Sequence, residues 1–133
     1  MKRILESVLI FAVLVFCMPA FAQEQEKQPS LEERIEEEAD RLQTKLELED
    51  WQAFYVDSTL KHDLTAMQAE YEKLQKMKVE NSNSYQAVQD KWMDAIDASY
   101  KKIFTEEQWA KYLKTGVAKE MKKREKRRKK AQN

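Results

Sequence analysis

The chain has 133 residues with 24 basic and 24 acidic side chains, a length that suits one domain. One glycine and two prolines give too little punctuation for the turns of a sheet protein, and one histidine with one cysteine cannot build the usual nitrogen and sulfur metal sites. Charge balances in total but not along the chain: residues 23–50 carry 11 acids against 4 bases, residues 51–110 carry 10 against 7, and residues 111–133 carry 2 against 11. Such ends attract each other, within one chain or between two.

The N-terminus has the layout of a secretory signal peptide over residues 1–22. "MKR" is basic, Val8 to Met18 is an unbroken apolar run, and "AFA" (Ala20 to Ala22) supplies small residues before a cleavage site. A membrane anchor needs about 20 apolar residues, and this run is shorter. Lipid attachment at Cys17 normally follows a small residue, whereas Phe16 is large. Cleavage after Ala22 leaves a periplasmic chain without cysteine, hence without disulfides. Residues 23–29 read as a flexible leader.

Ser30 with Glu33 forms a capping box that opens the first helix, which carries Leu31, Ile35, Leu42 and Leu46 on one side and charge on the other. A second helix is expected from Glu49 or Asp50 to about Glu80, with Ala53, Val56, Leu60, Leu64, Met67, Tyr71 and Leu74 on one heptad-like stripe. "NSNS" (Asn81 to Ser84) is a loop, with Asn83 and Gln86 as the next capping pair. The third helix carries Tyr85, Val88, Trp92, Ala95, Ile96, Ser99 and Ile103 on one side and ends at Phe104. Thr105 caps the fourth, with Gln108 three residues on, and Trp109, Tyr112, Leu113 and Val117 form its apolar side. Gly116 weakens it by about 1 kcal/mol relative to alanine. The sum is an all-α fold of about four helices in elongated antiparallel hairpins over residues 30–118, followed by a basic tail over 119–133. Thirty residues of helix span roughly 45 Å. A chain this short then forms a thin layer, and a homodimer is the simplest cover for its open side.

Catalytic chemistry is not indicated. His62 lies off the stripe of its helix, acid pairs such as Glu36 with Asp40 sit on charged faces, and no group of residues forms a nucleophile with its base. No cofactor is implied, and Met67, Met77, Met93 and Met121 suit core filling better than metal binding. The tail residues Lys122, Lys123, Arg124, Lys126, Arg127, Arg128, Lys129 and Lys130 have the composition of a nucleic-acid patch. Export argues against nucleic acid and leaves anionic lipid head groups, acidic protein surfaces, or simple pairing with the acidic first helix.

Some aromatic residues fall off the stripe of the second helix. Counted from Leu60, Trp51 points about 180° away, Tyr55 about 140° and Phe54 about 120°. Two readings stand: packing against the first helix or a second copy, or an exposed patch that meets partners and that Met77 and Met93 extend.

The stretches "LEDWQ" (Leu48 to Gln52) and "FTEEQ" (Phe104 to Gln108) each stand at a helix start. Together they resemble the paired L-T-x-x-Q motif of the Spy/CpxP family of periplasmic proteins, with Glu49 for Thr in the first and Phe104 for Leu in the second. Leu48 and Phe104 would anchor the turns, while Thr105, Gln108 and Gln52 would complete the caps. The resemblance implies a cradle-like antiparallel homodimer. It also implies either an ATP-independent chaperone for unfolded envelope proteins or an adaptor that binds an envelope-stress sensor. A purely structural helical protein is the third possibility.

The export reading predicts a mature protein that begins at Gln23. Intact-mass measurement on protein from the producing cell tests it, and a retained N-terminus or a lipid on Cys17 would refute cleavage after Ala22.

Overall fold

A computed structural model describes residues 28–133, so the expected signal peptide, most of the expected leader and Cys17 lie outside the described residues. Helix α1 (Leu31–Leu46) opens with the expected box: the Glu33 amide donates to Ser30 Oγ at 3.1 Å, and the Ser30 amide donates to the Glu33 carboxylate at 2.6 Å. It ends where Glu47 turns left-handed at φ 52°, which lets the Leu48 amide donate back to the Gln43 carbonyl and tucks Leu48 into the core. That short link makes α2 (Asp50–Lys76) the antiparallel neighbour of α1.

The loop after α2 passes through Lys78 at φ 55°, and α3 (Ser82–Ile103) returns along α2. Helix α2 is shorter than expected and stops at Lys76 rather than near Glu80. The expected cap of α3 also needs correction. Asn81, not Asn83, is the N-cap and accepts from the Asn83 amide at 2.9 Å, while the Gln86 side chain bonds Gln89 and Asp90.

A core of Ile35, Leu42, Leu46, Leu48, Val56, Leu60, Ile96, Tyr100, Phe104 and Tyr112 joins α1, α2, α3 and the helix that follows. The stripe of α2 divides in two. Val56 and Leu60 are buried, but Leu64, Met67, Tyr71 and Leu74 are only half-buried. Length explains this: α1 has 16 residues against 27 in α2, so about 24 Å of helix faces about 40 Å and the far half of α2 has only α3 beside it. There Tyr71 packs on Tyr85 with ring centroids 5.9 Å apart, and Tyr85 Oη donates to the Val79 carbonyl at 2.9 Å.

The fourth helical stretch is not the continuous helix the sequence suggests. It comprises α4 (Glu106–Tyr112), a wider turn over Leu113–Val117, and α5 (Ala118–Ala131). Gly116 sits at φ 98°, ψ −8°, outside helical space, so the glycine redirects the helix rather than merely weakening it. The basic tail is thus helix α5, and it lies against α3.

The acidic partner of the tail is therefore α3, not the acidic first helix. Asp90, Asp94 and Asp97 recur at helical spacing on α3. Arg127 grips Asp90 with two bonds of 2.7 Å, Arg124 bonds Asp94 at 2.7 Å and also Asp97, and Arg128 bonds Asp94. Tyr112 Oη donates to the other oxygen of Asp97 at 2.7 Å. Burial pushes the Asp97 carboxyl up from its ordinary value despite Tyr112 and Arg124, whereas the Arg127 bonds hold Asp90 below the usual carboxylate range. Burial alone would lower Arg124, but Asp94 and Asp97 more than offset it and its affinity for its proton rises.

Removing Arg124 would leave Asp97 buried without its cation, and losing one partner of a buried pair costs about 3–5 kcal/mol. Arg124→Ala should lose about that much in urea unfolding at pH 7. Without Arg124 the folded-state pKa of Asp97 rises further, so protonation relieves the variant. The loss should shrink as pH falls through that raised value, and a pH-independent loss would mean that Arg124 acts through packing alone.

Candidate functional site

The two motif copies meet in the core. Thr105 caps α4 in the expected way, its Oγ1 accepting from the Gln108 amide at 3.2 Å while the Thr105 amide donates to Gln108 Oε1 at 3.0 Å. In the first copy the Glu49 amide donates to Gln52 Oε1 at 2.9 Å, so Glu49 rather than Asp50 is the cap residue. Having each turned back to its own helix start, the two glutamines bond each other. Gln52 Nε2 donates to Gln108 Oε1 at 2.7 Å, and Gln108 Nε2 donates to Gln52 Oε1 at 3.1 Å. Gln52 Nε2 also donates to the Ile103 carbonyl at 2.9 Å. Leu48 and Phe104 are buried beside them, and Phe104 stacks on Tyr100 at 5.2 Å and meets Tyr112 edge-on at 5.7 Å.

This arrangement fixes the rotation of α2 about its axis. With Gln52 only 2% exposed, Trp51, Phe54 and Tyr55 must point the other way, and they are 55%, 73% and 44% exposed. Spaced at i, i+3 and i+4, they share one face of the first turns of α2. The Trp51 indole N–H donates to the Glu49 carboxylate, which ties it to the helix start. The same face continues with the polar, exposed Ser58 and His62, so the aromatic patch is confined to one end. Within the described residues the packing against α1 that the sequence allowed does not occur.

The other two candidates do not join this patch. Met77 is exposed, but it caps the opposite end of α2, about 39 Å along the helix from Trp51. Met93 is half-buried, packs against the core and faces the cleft at the α4–α5 bend. It sits at the edge of the core, apart from the aromatic patch.

The tail residues also separate. Arg124 is buried, Arg127 is half-exposed, and both pair with α3 as Arg128 does, whereas Lys122, Lys123, Lys126, Lys129 and Lys130 are exposed. Sequence reasoning missed the Asp90, Asp94, Asp97 row. Its signal was present as carboxylates at i, i+4 and i+7 on the predicted third helix, matching arginines at i, i+3 and i+4 in the tail.

No family model matches the chain, and no curated protein or solved structure shows significant similarity to it.

Both motif copies can be tested by stability. Thr105→Ala should cost about 1 kcal/mol in urea unfolding and Thr105→Asp much less, because aspartate also caps. A double-mutant cycle with Gln52→Ala and Gln108→Ala should show a coupling of about 0.5–3 kcal/mol, the range for residues in one hydrogen-bond network. Additive losses would show that the amide pair contributes nothing.

Proposed function

We propose that the protein is a periplasmic member of the Spy/CpxP family that acts as an ATP-independent holdase, binding unfolded or aggregation-prone envelope proteins as a homodimer. The observation that carries this reading is the aromatic patch of Trp51, Phe54 and Tyr55, held in water at the start of α2 by the inward-facing Gln52. Three large side chains about half-exposed or more offer on the order of 300 Å² of contact surface. At about 25 cal/mol per Å² this gives roughly 7 kcal/mol before the costs of association, which leaves binding weak and reversible. Reversible capture of exposed apolar segments is what a holdase needs. The single glycine of the chain cannot form a glycine-rich phosphate loop, which supports passive binding over nucleotide-driven release. The mutually bonded motif glutamines support the family reading, because they give the paired motif a physical purpose at two helix starts.

The mature protein should suppress aggregation of a denatured, unrelated client without ATP. Trp51→Ser, Phe54→Ser and Tyr55→Ser combined should weaken suppression several-fold while the helical circular dichroism survives. If no client is protected at several-fold molar excess, the holdase reading fails and an adaptor for one sensor protein takes its place. If light scattering shows a dimer that the triple variant abolishes, the patch is instead the interface between copies.

A further inference from the structure

Helix α5 sorts its cations by type. Counted from Lys119 at 100° per residue, Arg127, Arg124 and Arg128 fall near 80°, 140° and 180° and face the carboxylates of α3. Lys122, Lys126 and Lys130 fall near −60°, −20° and +20°, so with Lys119 they form one row on the opposite face, about 16 Å long. All four are exposed, and none makes an ion pair among the described residues. Lys123 and Lys129 flank the row, each paired within α5, with Glu120 at 2.8 Å and Glu125 at 2.7 Å.

We propose that the outer face of α5, centred on Lys119, Lys122, Lys126 and Lys130, docks the protein on the surface of an anionic lipid bilayer. Guanidinium groups are suited to fixed, forked pairing with carboxylates, and here all three are engaged by α3, Arg124 buried and Arg127 and Arg128 at the edge of the contact. What remains outside is a straight row of compact point charges with no apolar side chain between them; only its ends, Lys119 and Lys130, border the clefts that α5 makes with α3. That geometry matches a flat, patternless layer of negative charge, because it offers neither the shape nor the anchors that recognition of one folded protein requires. Contact is peripheral, since the face carries nothing to insert between acyl chains. Each lysine near such a surface contributes roughly fivefold in affinity, so a row of four is enough to hold the protein at low salt and to let it go at high salt. Lysine rows of this kind also lie on plainly solvated helices; here the pairing of every arginine of α5 with the α3 carboxylates, which leaves the lysines of the row as its unpaired cations among the described residues, distinguishes the face. The proposal is independent of client binding at Trp51.

Sedimentation with vesicles tests it. The mature protein should bind phosphatidylcholine vesicles containing phosphatidylglycerol, ignore vesicles of phosphatidylcholine alone, and be released by salt. Changing Lys119, Lys122, Lys126 and Lys130 to Gln should weaken binding by about 100-fold or more, whereas changing Lys45, Lys73, Lys76 and Lys78 to Gln, the same change in net charge, should weaken it by less than about tenfold. Circular dichroism checks that both variants remain folded. Equal loss in the two variants, equal binding to neutral vesicles, or tighter binding to polyglutamate or duplex DNA than to lipid at the same charge concentration would each overturn the proposal.

Discussion

The fold depends on a pair of glutamine amides that finish two tasks at once. Gln52 and Gln108 each accept the free amide of their own cap residue, Glu49 and Thr105, and then satisfy each other. Gln52 makes four hydrogen bonds and so uses the full capacity of its amide. A buried amide with even one of these missing would cost about 1–3 kcal/mol. The pair therefore pins the start of α2 to the start of α4 across more than fifty residues of chain. Leu48 and Phe104 only have to fill the space on either side. Where polar satisfaction is incomplete, as at the Tyr100 hydroxyl, buried without a partner among the described residues, the ring is held by Phe104 and Tyr112 instead.

The C-terminal helix is fixed on a different principle. Helix α5 meets α3 mainly through long side chains rather than through close backbone approach, and the Asp–Arg pairs bridge the gap. Buried ion pairs contribute modestly to stability because desolvation cancels much of the attraction, but they penalise any other register severely. A helix slipped by one residue would bury Lys123 or Glu125 where Arg124 now sits. Gly116 makes this placement reachable, since at φ 98° it turns the chain toward α3 at a conformation other residues adopt only with strain.

The elements that were legible in the sequence are those decided locally. Ser30 with Glu33 and Thr105 with Gln108 are signals three residues apart, and they stand where the spacing placed them. The all-helical fold followed from the near absence of glycine and proline. What could not be read were choices between distant partners. Total charge pointed the tail at α1, the most acidic segment, yet the guanidiniums went to α3, where buried and partly buried carboxylates on a facing helix reward directed bonds and free charges on α1 do not. Gly116 looked like a weak point because a tolerated glycine and a left-handed one have the same letter. The exposure of Trp51, Phe54 and Tyr55 was hidden for a related reason: hydrophobicity argues for their burial, and only the position of Gln52 decides otherwise.

That decision can be weighed. Rolling α2 far enough to bury Trp51 would gain about 1.5–3 kcal/mol of apolar transfer for a large side chain. The same rotation would break the three bonds that Gln52 makes to Ile103 and Gln108 and leave its amide short of partners, and Gln108 would lose its partner as well. It would also lift Val56 and Leu60, both buried, toward solvent, at a similar cost for each. The losses exceed the gain severalfold, so the aromatic face stays in water although its residues favour burial one by one. An apolar stripe alone is non-directional and sets the rotation of a helix less sharply than directed bonds do. Polar locks on the inner side, amides for α2 and guanidiniums for α5, fix that rotation, and a chain with so small a core can thereby present chosen side chains outward instead of folding them in.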